Sequence, residues 1–305
     1  MMKKFLKKSY IILPHILLAA VLASTALQAE FPKDTTGFTV LSVLLAAVEA
    51  ALIIRRKKWS AYGITAIVYG LILIWSLYPV INGRESFLFP PPQRISAIFV
   101  LDILVILKSI VSSLWLLLLS FVIALILGIG LGMICGKVKR LQNVVMPIAR
   151  VLSPVPALIY APYVVAVMPN FTLAALFIIT SGLFYPILIN VIVTLQHFDP
   201  KLRDASDVMG LGLKSTIVNI YLPYCMPSLF NTLAMQISNA FLLLIGAELM
   251  GMDSGLGWYV KYNSDFSDYV RVIAGFIVIG MIIAIVNTGL QKLRAKILLW
   301  QSAEQ

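Results

Sequence analysis

Charge is scarce in this sequence. Only 12% of its 305 residues are charged, 60% are hydrophobic, and the mean hydropathy is +0.96. A soluble domain carries about a quarter charged residues, so a water-soluble fold is excluded. Acids are the scarcest, 13 against 24 basic residues, and Glu49 is the one clear acid in the middle of an apolar run. Ion relays are built from intramembrane carboxylates, and here there is little to build them with. The two cysteines, Cys135 and Cys225, sit at the ends of apolar runs without metal or redox spacing, and a disulfide has weak support. The two histidines, His15 and His197, share no motif, which argues against a catalytic site. Sustained β-alternation is missing, and with it a membrane barrel. No internal repeat or low-complexity tract interrupts the chain.

A P-loop is missing too. Its pattern is G-x-x-x-x-G-K-[ST]. Around Gly136-Lys137, Leu131 takes the place of the first glycine and Val138 that of the last residue; before Lys214 stands Leu213. The chain therefore has no ATPase site of its own.

Present instead are unbroken apolar runs near 20 residues, the length that a hydrocarbon core of about 30 Å demands. They fall at roughly 9–29, 38–54, 62–81, 110–135, 145–168, 171–195, 224–250 and 272–291. The expected fold is an all-α integral membrane protein of about eight transmembrane helices. Short loops on one side carry 17 of the 24 basic residues, including Lys3 to Lys8, Arg55 to Lys58, Lys137 to Arg140, Lys201 to Lys214 and Lys292 to Lys296. Six lie on the other side, and Arg150 stands near a helix start. Positive charge marks the cytoplasm, and an even number of spans returns both basic termini there. The placement of the net charge of +11 thus points to a membrane and not to nucleic acid. The first run also has the marks of a cleavable signal peptide, with small residues at Ala26 and Ala29; retention is the reading carried forward. The outside segment 82–108 is broken by Pro90, Pro91 and Pro92 and predicts a short helix lying in the interface.

The segment 199–223, DPKLRDASDVMGLGLKSTIVNIYLP, is organised beyond what a loop needs. Asp199 caps a helix, Pro200 suits its first position, and Gly210 ends it at about Met209. Leu202, Ala205 and Met209 share one face, while Lys201, Asp204 and Asp207 lie off it. A second helical piece from about Ser215 leads to Pro223. A short amphipathic helix between two spans is what docking a soluble partner requires.

These residues resemble the cytoplasmic motif of the membrane subunits of bacterial ABC importers: Glu-Ala-Ala, three residues, Gly, nine residues, Ile-x-Leu-Pro. Here Asp204-Ala205-Ser206 precedes Gly210, and Ile220, Leu222 and Pro223 follow in frame. Asp204 replaces Glu and Ser206 replaces the second Ala. Further stretches are similar to the nitrate, sulfonate and taurine branch: Phe87 to Pro92; Ser153-Pro154-Val155-Pro156 through Tyr160 and Pro162; and Ala247-Glu248 followed by Ser254-Gly255-Leu256-Gly257-Trp258. Val167-Met168-Pro169 stands where that branch has Trp-Phe-Gly. Gly128, Gly132 and Gly136 form a small-xxx-small row for close helix packing.

The resemblance covers roughly 60–300. It implies two extra N-terminal helices (1–59), a six-helix permease domain (60–300) and a polar tail (301–305). It implies a transport subunit that is not itself an enzyme and binds no cofactor or metal, with ATP and Mg2+ held by separate ATPase subunits. Further implied partners are a second permease copy or homologue, an extracytoplasmic substrate-binding protein and membrane lipid, all at the cytoplasmic or inner membrane. Leu202, Asp204, Ala205, Ser206, Met209, Gly210, Gly212, Ile220, Leu222 and Pro223 would couple to the ATPase. Pro154, Pro156, Tyr160, Pro162 and Glu248 are pathway candidates; the proline stretch reads equally as a structural kink, and for Glu248 a structural role is the favoured reading. The rival reading is a secondary transporter or channel, and the solute stays open among small anions and related organic molecules.

Overall fold

A computed structural model describes residues 2–27, 35–54, 59–82, 88–199, 208 and 212–297. Its elements are helices: α1 (Met2–Leu27), α2 (Thr35–Ile54), α3 (Trp59–Asn82), α4 (Pro92–Leu101), α5 (Ile103–Lys137), α6 (Lys139–Leu152), α7 (Ala157–Val167), α8 (Phe171–Gln196), α9 (Leu213–Thr216), α10 (Leu222–Glu248), α11 (Leu256–Asp265) and α12 (Tyr269–Ile297). A single π turn, Ile217–Tyr221, joins α9 to α10.

Four continuous helical stretches are long and apolar enough to cross a membrane: α5, α8, the stretch Ile217–Glu248 and α12. The pair α6 and α7 is apolar enough to count as a fifth only when taken together, and the 96° bend between them makes it a broken span or a re-entrant loop. Shorter apolar stretches Leu13–Thr25, Thr39–Val48 and Tyr62–Tyr78 fall on the first three runs. The protein is thus an all-α, multi-pass membrane protein, and eight apolar segments are compatible with this arrangement.

Two boundaries differ from the sequence expectation. The run 145–168 is not one straight helix. Pro154 and Pro156 lack N–H donors and restrict the residues before them, so α6 stops at Leu152 and α7 starts anew at Ala157. The run 110–135 starts earlier, at Ile103, directly after the short helix α4. At 1.5 Å per residue its 35 residues reach about 52 Å, well beyond a hydrocarbon core.

Contacts divide the chain into two compact units, Met1–Ile106 with Tyr262–Ile277, and Leu107–Lys261 with Val278–Gln305. In the first unit α3 is tied to α1 and α2. Val21, Leu41, Leu45 and Tyr69 form its buried core. The Ser24 and Ser76 hydroxyls meet at 2.7 Å, and the Tyr69 hydroxyl donates to the Leu45 carbonyl at 3.3 Å. Within the same unit, Arg271 grips Asp102 through Nε (2.6 Å) and Nη2 (3.3 Å), and Asp268 through Nη1 (2.5 Å).

In the second unit α8 is the central post. Ile178, Ile179, Leu183, Ile187 and Val191 are fully buried on it, against Leu229, Leu233, Ile237, Phe241 and Leu244 of α10. Lipid tails are as apolar as leucine, so helices here are held by close packing and polar contacts more than by escape from solvent. The start of α8 is set locally: Pro169 precedes it, and the Asn170 carboxamide oxygen accepts from the Leu173 N–H at 2.8 Å.

Candidate functional site

The glycine row acts inside this one chain. A Cβ on Gly128 would sit 2.7 Å from Ile187 Cγ2, one on Gly132 2.7 Å from Val191 Cβ, and one on Gly136 2.5 Å from Leu195 Cδ1. Three glycines at i, i+4 and i+8 on α5 therefore receive three large residues at the same spacing on α8. The two backbones approach over two turns of helix because no side chain stands between them.

Glu248 ends α10 and is 1% exposed. Its Oε1 accepts from the Ser113 hydroxyl of α5 at 2.6 Å, and its Oε2 accepts from the Gly257 N–H at 2.6 Å. Ser113 Oγ in turn accepts from the Leu256 N–H at 2.7 Å. Leu256 and Gly257 begin α11, so the carboxylate and the serine together take two of the orphan donors of that helix start. The chain reaches this point through Gly255 at φ +114°, a backbone form that strains any residue with a Cβ. A Cβ there would also run into the Glu248 carboxylate. Glu248, Ser113, Gly255 and Gly257 are thus one tie joining α5, α10 and α11. Ser112 and Ser254 add a hydroxyl contact at 2.9 Å beside it. Each oxygen of Glu248 accepts from a protein donor, and the side chain is buried. Ser113 went unnoticed in the sequence because a serine in a long apolar run carries no signal until its partner is known.

The proline-rich candidates cluster at the α6–α7 bend. Pro154, Pro156 and Pro162 are exposed, whereas Tyr160 is half-buried and its hydroxyl meets Ser181 Oγ at 2.7 Å. Beside this pair, an apolar groove of about 470 Å³ runs between α5 and α8, and includes Thr180, Ser181 and Tyr185 with Leu127, Leu131 and Phe177. The polar members Thr180 and Ser181 were not visible in the sequence, since only packing decides which side of α8 faces the groove.

Of the coupling candidates, Leu202, Asp204, Ala205, Ser206, Met209 and Gly210 lie outside the described residues, as do the Glu49 side chain and the tail 301–305. Gly212 is exposed with open space where a Cβ would be. Downstream, Ile220 and Leu222 pack on the core of the second unit, while Pro223 is exposed. The expected piece from about Ser215 leads through Pro223 without a break. It starts at Leu213 and continues through the π turn into α10. There the Leu222 N–H reaches the Ile217 carbonyl, one residue beyond the α-helical partner. Pro223 supplies no N–H to the Asn219 carbonyl, and a π turn is one way for a helix to absorb such a missing rung. Among the described residues no cluster of His, Cys, Asp and Glu could hold a metal.

The chain is similar to known permease proteins. The chain is 25% identical over 251 residues to a protein of Methanocaldococcus jannaschii named provisionally as an ABC transporter permease, covering 80% of this chain and 91% of that one. It is 29% identical over 165 residues to the nitrate import permease protein of Synechocystis sp. (53% and 59% covered). It is 22% identical over 272 residues to the taurine transport system permease protein of Escherichia coli (82% and 96% covered). Residues 128–295, more than half of the chain and the stretch that contains the glycine row, the α6–α7 bend, the 199–223 segment and Glu248 with Gly255 and Gly257, match the binding-protein-dependent transport system inner membrane component family. The protein belongs to that family, and is the transmembrane permease subunit of an ABC importer.

Proposed function

We propose that this subunit carries a small anion such as nitrate, a sulfonate or taurine, or a related small organic solute, and that segment 199–223 couples its movement to ATP hydrolysis on a partner. The relatives named for nitrate and taurine support the solute class. The coupling reading rests on one observation: Asp204-Ala205-Ser206, Gly210, Ile220, Leu222 and Pro223 keep the importer frame, and that frame runs directly into α10, whose inner face is buried in the core of the second unit. A push on the segment therefore acts on a helix that cannot yield alone. Two permease copies, or one with a close homologue, pair with two ATPase subunits that hold ATP and Mg2+. An extracytoplasmic binding protein delivers the solute. The basic loops and both termini face the cytoplasm.

The pathway follows the α6–α7 bend and α8. Prolines free backbone carbonyls there, which is tolerated at membrane depth where they line a cavity. Tyr160 with Ser181 and Thr180 supplies the polar groups, and the buried Glu248, hydrogen-bonded to Ser113 and Gly257, serves the packing of α5, α10 and α11.

Uptake and ATPase stimulation in Gly210→Val and Ala205→Phe test the coupling role, with membrane levels checked. Gly210→Val would strain the left-handed terminator that the sequence predicts, by about 1 kcal/mol or more, and redirect the chain. Ala205→Phe overfills the docking face. Both proteins should insert normally yet transport poorly, with ATPase lost or unresponsive to substrate. Normal transport by both at normal levels would refute the coupling role and favour a channel.

A further inference from the structure

Helix α6 has three faces, and only one of them is covered. Gln142, Met146 and Ala149 are buried. Met146 and Ala149 pack with Cys135 of α5 and Leu188 and Ile192 of α8. A second face, at i, i+4 and i+11, carries Lys139, Asn143 and Arg150, with Arg140 at its edge; all four are exposed. The basic side chains of this face make no ion pair or hydrogen bond among the described residues. On the third face Leu141, Val144, Ile148, Val151 and Leu152 are 43%, 60%, 53%, 71% and 40% exposed. The apolar stripe and the basic stripe thus lie on nearly opposite sides of one 14-residue helix.

The contacts of α6 also set its level. Cys135 lies in the last turn of α5, and Leu188 and Ile192 lie in the last third of α8, so α6 sits at the end of the bundle where these two helices finish. It turns by 96° relative to α7. A helix with an apolar stripe, a basic stripe and a level near the end of the spans has the form of one lying in the membrane interface.

We infer that α6 is an anionic-phospholipid contact: Leu141, Val144, Ile148 and Val151 enter the acyl region, and Lys139, Arg140 and Arg150 hold acidic headgroups. The charge argues for lipid, because an acidic phospholipid supplies both an anionic headgroup for the basic stripe and an acyl chain for the apolar one. The inference rests on the cytoplasmic placement proposed above, since the cytoplasmic leaflet is where acidic lipids concentrate. It does not depend on the identity of the solute.

The test uses the full complex in vesicles of phosphatidylcholine and phosphatidylglycerol in equal parts, with bromine on the acyl chains of one lipid or the other. A bimane fluorophore is attached at Val144→Cys or Val151→Cys; the native Cys135 and Cys225 are buried. Brominated phosphatidylglycerol should quench both reporters more strongly than brominated phosphatidylcholine. The combined substitution Lys139→Gln, Arg140→Gln and Arg150→Gln should reduce that preference at least about fivefold. If that variant does not assemble, the reporters beside the native basic stripe decide alone. Equal quenching by the two lipids overturns the headgroup assignment. No quenching by either overturns the lipid contact, and disulfide-linked dimers through Val144→Cys would then identify a second copy on this face.

Discussion

Replacing Glu248 with alanine removes both acceptors from the tie between α5, α10 and α11. The Gly257 N–H and the Ser113 hydroxyl, which donate to it at 2.6 Å each, lose their partner in a site that is 1% exposed. An orphaned buried donor costs about 1–3 kcal/mol, and the space vacated by the side chain adds to it, for roughly 3 kcal/mol in all. At about 2–4 °C per kcal/mol for a chain of this size class, the melting midpoint should fall by roughly 6–12 °C. Glu248→Gln is the informative control. Its amide oxygen can accept from Gly257 while its NH2 group donates to Ser113 Oγ, which keeps a second lone pair beside the one used by Leu256. Its cost should be about 1 kcal/mol. Fluorescence-detected size exclusion after heating measures all three proteins in one detergent. Combining Glu248→Ala with Ser113→Ala should cost less than the sum of the two, by about 0.5–3 kcal/mol, because the two side chains share one interaction. An alanine variant no less stable than the glutamine variant, or strictly additive single substitutions, would refute the tie.

Gly132→Leu places a side chain where even a Cβ would stand 2.7 Å from Val191, so α5 and α8 must separate; the complex should lose roughly 2 kcal/mol or more and show reduced membrane levels by immunoblot, whereas Gly130→Leu, which has open space, should not. Asn170→Ala removes the oxygen that caps α8 and should cost about 1 kcal/mol, read as a small fall in melting midpoint. Arg271→Lys loses the two-pronged grip on Asp102 and should destabilise nearly as much as Arg271→Ala, by roughly 1 kcal/mol for a partly exposed pair; full rescue by lysine would show that charge alone matters there.

Spans and bends were legible because they follow from local chemistry. A run of apolar residues near 20 long has few alternatives to a membrane helix, and Pro154 and Pro156 announced a disturbance though not its 96° size. The glycine row was legible as a close contact, but its partner was not: nothing along the chain joins Gly128, Gly132 and Gly136 to Ile187, Val191 and Leu195, which lie some sixty residues further on. Glu248 shows the same limit. Its motif neighbours Gly255 and Gly257 could be read from the sequence, while Ser113, 135 residues away, could not.

By itself, the sequence determined the class of protein, its helical segments, the lack of an ATPase site and the importer motif in 199–223, since each depends on composition or on spacing within one stretch of chain. Only the tertiary structure decided that the glycine row serves α8, that Glu248 is buried and hydrogen-bonded to Ser113 and Gly257, that the fifth run is two helices, and that α6 keeps a basic and an apolar face uncovered. The physical reason is common to all four. Hydropathy and turn chemistry are properties of neighbouring residues, whereas burial and hydrogen-bond partnership are properties of groups that meet only after the helices have packed.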